Sequence, residues 1–80
     1  MKNIIPLSEL PIGERAQVLN LLSLGSSRRR MLDLGITQGT IIKALRKSPL
    51  GDPVAYDIRG AVIALRSEES SKILVKRIDM

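Results

Sequence analysis

The run Pro49-Leu50-Gly51-Asp52-Pro53-Val54-Ala55-Tyr56-Asp57-Ile58-Arg59-Gly60-Ala61-Val62-Ile63-Ala64-Leu65-Arg66 holds a turn, a strand, a hairpin and a returning strand in eighteen residues. Pro49 and Pro53 preset φ and Gly51 permits positive φ, so the stretch 48–53 is turn chemistry throughout. Val54, Tyr56 and Ile58 then fall on one face and Ala55 and Asp57 on the other, the two-residue period of a half-buried strand. Arg59-Gly60 is a two-residue hairpin turn, and the chain returns as a strand from Ala61 to Arg66. Two neighbouring strands joined so tightly point to antiparallel β architecture.

Working toward the amino terminus, Gly39 precedes Thr40 to Lys47, a β-branched run that reads as a strand. Ser26-Ser27 carry a helix start signal and Gly35 a stop signal, which predicts a helix beginning near Arg28-Arg29-Arg30 with Met31, Leu34 and Leu32 on its buried side. Glu14 to Leu22 reads as the first strand. Its alternation is imperfect, since Val18, Leu19, Leu21 and Leu22 fill both faces, which predicts burial on both sides or a bend. Residues 6–11 form a single turn bracketed by Pro6 and Pro11, with Ser8 as its cap. Toward the carboxyl terminus, Ser67 caps a short helical turn whose Glu68 and Glu69 suit the positive end of the helix dipole, and Ile73 to Ile78 is the last strand.

Five short strands, one principal helix and a further helical turn in 80 residues predict one mostly β domain spanning residues 1–80. The expected architecture is a small five-stranded SH3-like barrel with one or two short helices, with an OB-type barrel as the alternative. The core must be aliphatic, because Tyr56 is the only aromatic residue and Phe and Trp are absent.

Composition narrows function as well. The chain has no Cys and no His, so thiolate metal sites, Cys nucleophiles, the commonest general base and the commonest transition-metal ligand are all missing. Oxygen donors remain at Glu9, Glu14, Asp33, Asp52, Asp57, Glu68, Glu69 and Asp79, and the one pair with ligand-like spacing, Glu68 and Glu69, is adjacent on a helix and so points in different directions. Neither a catalytic residue nor a bound cofactor is expected. The longest purely apolar run, Ala61 to Leu65, is far shorter than a membrane span, and no signal peptide precedes Pro6 and Glu9. The net charge of +5 suits acidic proteins, nucleic acids or anionic membranes.

The segment Arg30-Met31-Leu32-Asp33-Leu34-Gly35-Ile36-Thr37-Gln38-Gly39-Thr40, followed by Pro49 to Gly60 and Ala64-Leu65-Arg66, closely resembles the FeoA family of bacterial ferrous iron transport proteins. Residues 7–13 and 67–75 resemble it too, so the likeness covers nearly the whole chain. Its specific signature is the ordered pair Leu-Gly-Ile-x-x-Gly-Thr and Pro-x-Gly-Asp-Pro. The resemblance implies an SH3-like barrel in the cytoplasm, at the inner face of the membrane, that binds and regulates the ferrous iron permease FeoB and its cytoplasmic GTP-binding domain.

On that reading the partner-binding residues are Arg28, Arg29 and Arg30, which can pair with carboxylates, and Leu50 and Asp52 on the rigid turn. Two other functions compete. One is a basic barrel that binds nucleic acid, disfavoured by the lack of stacking aromatics. The other is a metal sensor with carboxylate ligands at a dimer interface.

Overall fold

The computed structural model describes residues 3–78; Asp79, one of the candidate oxygen donors, lies outside them. Six strands follow in chain order: β1 (Ile4–Pro6), β2 (Arg15–Leu21), β3 (Ile41–Lys47), β4 (Val54–Ile58), β5 (Ala61–Leu65) and β6 (Ile73–Ile78). A 3₁₀ turn, Leu7–Glu9, follows β1, helix α1 (Gly25–Asp33) joins β2 to β3, and helix α2 (Ser67–Ser70) joins β5 to β6. The strands form one antiparallel sheet in the order β1-β6-β2-β3-β4-β5, with β1 and β5 at its edges.

The sheet has six strands where the sequence predicts five. The additional strand is β1, three residues that pair Ile4 with Lys76, Ile5 with Val75 and Pro6 with Leu74. So short a segment shows no alternation, and it becomes a strand only through pairing across some seventy residues of chain.

The core lies against one face of the sheet and is aliphatic apart from Tyr56 and Met31. Four strands contribute by alternation, Ala16 and Val18 from β2, Ile42 and Ala44 from β3, Tyr56 and Ile58 from β4, Ile73 and Val75 from β6, and the edge strands add Ile5 and Leu65. The double-faced pattern of β2 resolves as a bulge. The register with β6 shifts between Val18 and Asn20, which takes Leu19 out of step and returns Leu21 to the core. One extra residue resets which face points inward, so β2 is buried on one side only.

Helix α1 begins at Gly25, earlier than the serine signal, and Ser26 and Ser27 lie inside its first turn. The residue preceding it, Leu24, offers no capping side chain. Arg28, Arg29 and Arg30 therefore occupy the middle and the last turn of the helix, where positive charge no longer opposes the dipole. Met31 is its buried residue, while Leu32 is exposed, contrary to the expected buried face of Met31, Leu32 and Leu34.

The helix ends as its sequence predicts. Gly35 adopts φ +88°, its N–H donates to the Leu32 carbonyl at 3.0 Å, and the Ile36 N–H donates to the Met31 carbonyl at 3.0 Å. This is the paired-bond termination that a left-handed glycine permits, with Ile36 and Met31 both buried beside it.

Two capping expectations differ from the structure. Ser8 makes no cap: the 3₁₀ turn follows Pro6 without a side-chain bond. Ser67 is the first residue of α2 rather than its cap.

Candidate functional site

Helix α2 ties together two of the sequence-predicted contact residues, Asp52 and Arg30. The Ser67 N–H, one of the donors left unpaired at any helix start, donates to Asp52 Oδ1 at 2.8 Å. Glu69 Oε1 accepts the Arg66 N–H at 3.1 Å, and Glu69 Oε2 pairs with the Arg30 guanidinium. The turn 48–53 and helix α1 are thus both tied to the same four-residue helix. Asp52 and Arg30, distant in sequence, belong to one face of the molecule.

The remaining predicted residues, Arg28, Arg29 and Leu50, form no hydrogen bond or ion pair with α2. Leu50 stands at the tip of the turn with 94% of its surface exposed, so it packs against almost nothing in its own chain. Arg28 is exposed but donates from Nη1 to the Leu21 carbonyl at 2.9 Å, closing off the end of β2. Arg29 is exposed, and among the described residues it has no hydrogen-bond or ion-pair partner.

Between α1 and α2 lies a cleft of about 370 Å³ lined by Leu22, Ser23, Leu24, Ser27, Met31, Glu68, Glu69 and Lys72. Leu24 is 82% exposed and Leu22 50% exposed at its mouth. The sequence reading missed both, because Leu22 continues the apolar run of β2 and Leu24 looks like one more core leucine. Only the end of β2 at Leu21 and the exposed start of α1 turn them outward. The cleft thus brings three apolar side chains together with two serines, two carboxylates and an ammonium.

Beneath this face, Tyr56 is buried and its hydroxyl reaches the Leu7 carbonyl at 3.5 Å. Burial pushes its phenol pKa up; the Ser70 hydroxyl draws it partly back, and the negative charge of Asp52 raises it further. Tyr56 therefore stays neutral and serves the core.

A second polar cluster fixes the opposite end of α1. Arg59 Nε donates to the Gly35 carbonyl at 3.0 Å, and its Nη2 reaches Thr37 Oγ1 and Thr40 Oγ1 at 3.2 Å each. Arg59 sits at φ +53° beside Gly60 at +86°, the conformation of a two-residue hairpin with positive φ at both positions. The sequence announced the hairpin but not that its arginine would clasp the helix end. Among the described residues no three acidic side chains gather into a metal-ligating group, and no described helix is long and apolar enough to cross a membrane.

Comparison with known proteins places these features in context. The FeoA domain model matches residues 5–77. A fusion of Fe(2+) transport protein A with the Fe(2+) transporter FeoB from Porphyromonas gingivalis is 38% identical over 72 residues, which is 90% of this chain and 8% of that protein. The chain thus spans a small fraction of the length of that relative. Among solved structures, the FeoA-like protein of Clostridium acetobutylicum superposes with a TM-score of 0.89 at 35% identity, over 100% of this chain and 93% of the other. The zinc complex of the Stenotrophomonas maltophilia FeoA, described as a procaryotic SH3 domain protein, gives 0.78 at 30% identity, over 88% and 87%.

Proposed function

The chain belongs to the FeoA family, and from that membership we propose that it is a small accessory protein of ferrous iron uptake, acting by contact with a FeoB-type transporter. The fold is SH3-like, as in the Stenotrophomonas relative. The observation that carries the proposal is the Porphyromonas gingivalis protein, in which a domain of this kind and the transporter share one polypeptide. Two parts joined in one polypeptide work at close quarters, which makes a domain of this kind and the transporter natural partners.

Contact occurs on the cytoplasmic side of the membrane, with the transporter's soluble region, and it alters the transport cycle without chemistry performed by this chain. With no His or Cys, the chain is poorly equipped for nucleophilic or acid–base catalysis. The face that meets the transporter comprises Arg28, Arg29 and Arg30 of α1 with Leu50 and Asp52 of the turn. Its two most informative members are Arg29 and Leu50, exposed side chains whose removal leaves the internal bonds of Arg28, Arg30 and Asp52 intact.

Titration of the chain into the detergent-solubilised, full-length transporter tests the proposal. The wild-type chain binds saturably, and the double variant Arg29→Glu, Leu50→Ser binds more weakly while unfolding at the same temperature. Failure of the wild-type chain to bind removes the proposal, and undiminished binding of the double variant moves the contact elsewhere.

A further inference from the structure

The sheet ends on one side at β5, whose sequence Ala61-Val62-Ile63-Ala64-Leu65 carries no charge, proline or bulge. Exposed sheet edges ordinarily carry such devices because an unpaired strand recruits another. The register with β4 pairs Ile58 with Ala61, Tyr56 with Ile63 and Val54 with Leu65. In a two-residue hairpin the residues flanking the turn exchange both backbone bonds. Ala61, Ile63 and Leu65 therefore bond to β4, and Val62 and Ala64 direct their N–H and C=O groups away from it. Val62 is 60% exposed and Ala61 and Ala64 are exposed as well.

The surroundings of this edge are cationic. Arg66 follows it directly and is exposed. On the outward face of the sheet, Lys43 aligns with Asp57 and Val62, and Arg46 aligns with Ala55 and Ala64. Both alanines are small, so the Arg46 side chain has an open path toward the edge. The one carboxylate in these rows, Asp57, already accepts the Gly60 N–H at 3.1 Å. At the hairpin end a shallow cleft of about 440 Å³ is lined by Arg15, Ile41, Lys43, Asp57, Arg59 and Gly60. At its other end the edge runs into α2, the helix at the centre of the candidate face.

We infer that the open edge of β5 is a docking rail for an extended, acidic segment of the transporter, which adds to the sheet as a further strand. Backbone bonds from Val62 and Ala64 hold the segment, and its carboxylates meet Lys43, Arg46 and Arg66. A second copy of this chain is the poorer occupant. Antiparallel self-pairing centred on Ile63 would set Arg66 of each copy opposite Gly60 of the other, next to its Arg59, gathering like charges at both ends. The inference rests on the proposed association with the transporter and names the surface that carries part of it.

The test uses the full-length transporter in detergent and two variants. Val62→Pro removes one outward-facing donor at an edge position where proline is tolerated, and Lys43→Glu, Arg46→Glu reverses the flanking charge with no change to the backbone. Each weakens binding by about tenfold or more at unchanged unfolding temperature, and the amides of Val62 and Ala64 exchange more slowly when the transporter is added. Binding of both variants at wild-type strength, without slowed exchange at Val62 and Ala64, overturns the rail and leaves the association standing. Failure of the wild-type chain to bind overturns the association and the rail together. Protection of the same amides that grows with the chain's own concentration, in the absence of transporter, would seat a second copy there and also overturn the inference.

Discussion

Asp52 and Ser67 are fifteen positions apart, and their bond shows how one side chain can serve a distant helix. The carboxylate does what a local capping residue would do, because Arg66, at the capping position, has no side-chain acceptor. Asp52→Ala should therefore cost about 1 kcal/mol, read as a fall of roughly 4–8 °C in unfolding temperature for a domain of this size. Asp52→Asn, which keeps an acceptor, should retain most of that stability. Tyr56 gives a pH signature. Its folded-state pKa lies above the ordinary value of 10.0, so the folded state holds the proton more tightly than the unfolded one. Its contribution is complete below pH 10.0 and is lost as pH rises through the folded value. Chemical denaturation across the alkaline range should show stability falling above that point, and Tyr56→Phe should flatten the fall while costing about 0.5–1.5 kcal/mol at neutral pH. Neither role was legible in the sequence, because a turn aspartate and a strand tyrosine look alike whether or not the fold brings a partner to them.

The elements divide by how locally they are encoded. The β4–β5 hairpin and the end of α1 were legible because their signals, Arg59-Gly60 and Gly35, act on the residues beside them. Strand β1 was not, since Ile4–Pro6 pairs only with the far end of the chain. The start of α1 was misplaced because serines ordinarily cap helices and here lie within the first turn. The termination of α1 gives a prediction at this scale. A Cβ on Gly35 would lie 3.1 Å from Arg59 Cδ at φ +88°, so Gly35→Ala combines backbone strain with a displaced arginine. It should destabilise the fold by about 1–3 kcal/mol. Loss of protection at Ile36 and Thr40 in amide exchange should accompany it, whereas Gly51→Ala, also at positive φ but with open space around it, should cost less. The arrangement of the proposed contact residues was legible in part. Leu50 follows from turn chemistry, but that Arg30 and Asp52 share α2 is a consequence of tertiary structure.

For the molecule as a whole, an aliphatic core holds a six-stranded sheet, and its surface keeps a cleft of mixed polarity, an exposed loop leucine and an open edge flanked by basic residues. Those features suit a protein that acts by touching another. The most direct measurement is ferrous iron uptake into vesicles reconstituted with the full-length transporter, with and without the purified chain. The account predicts an uptake rate that changes saturably as the chain is added and returns toward its starting value when the Arg29→Glu, Leu50→Ser variant replaces the wild type. Uptake identical at every concentration of the chain would contradict it.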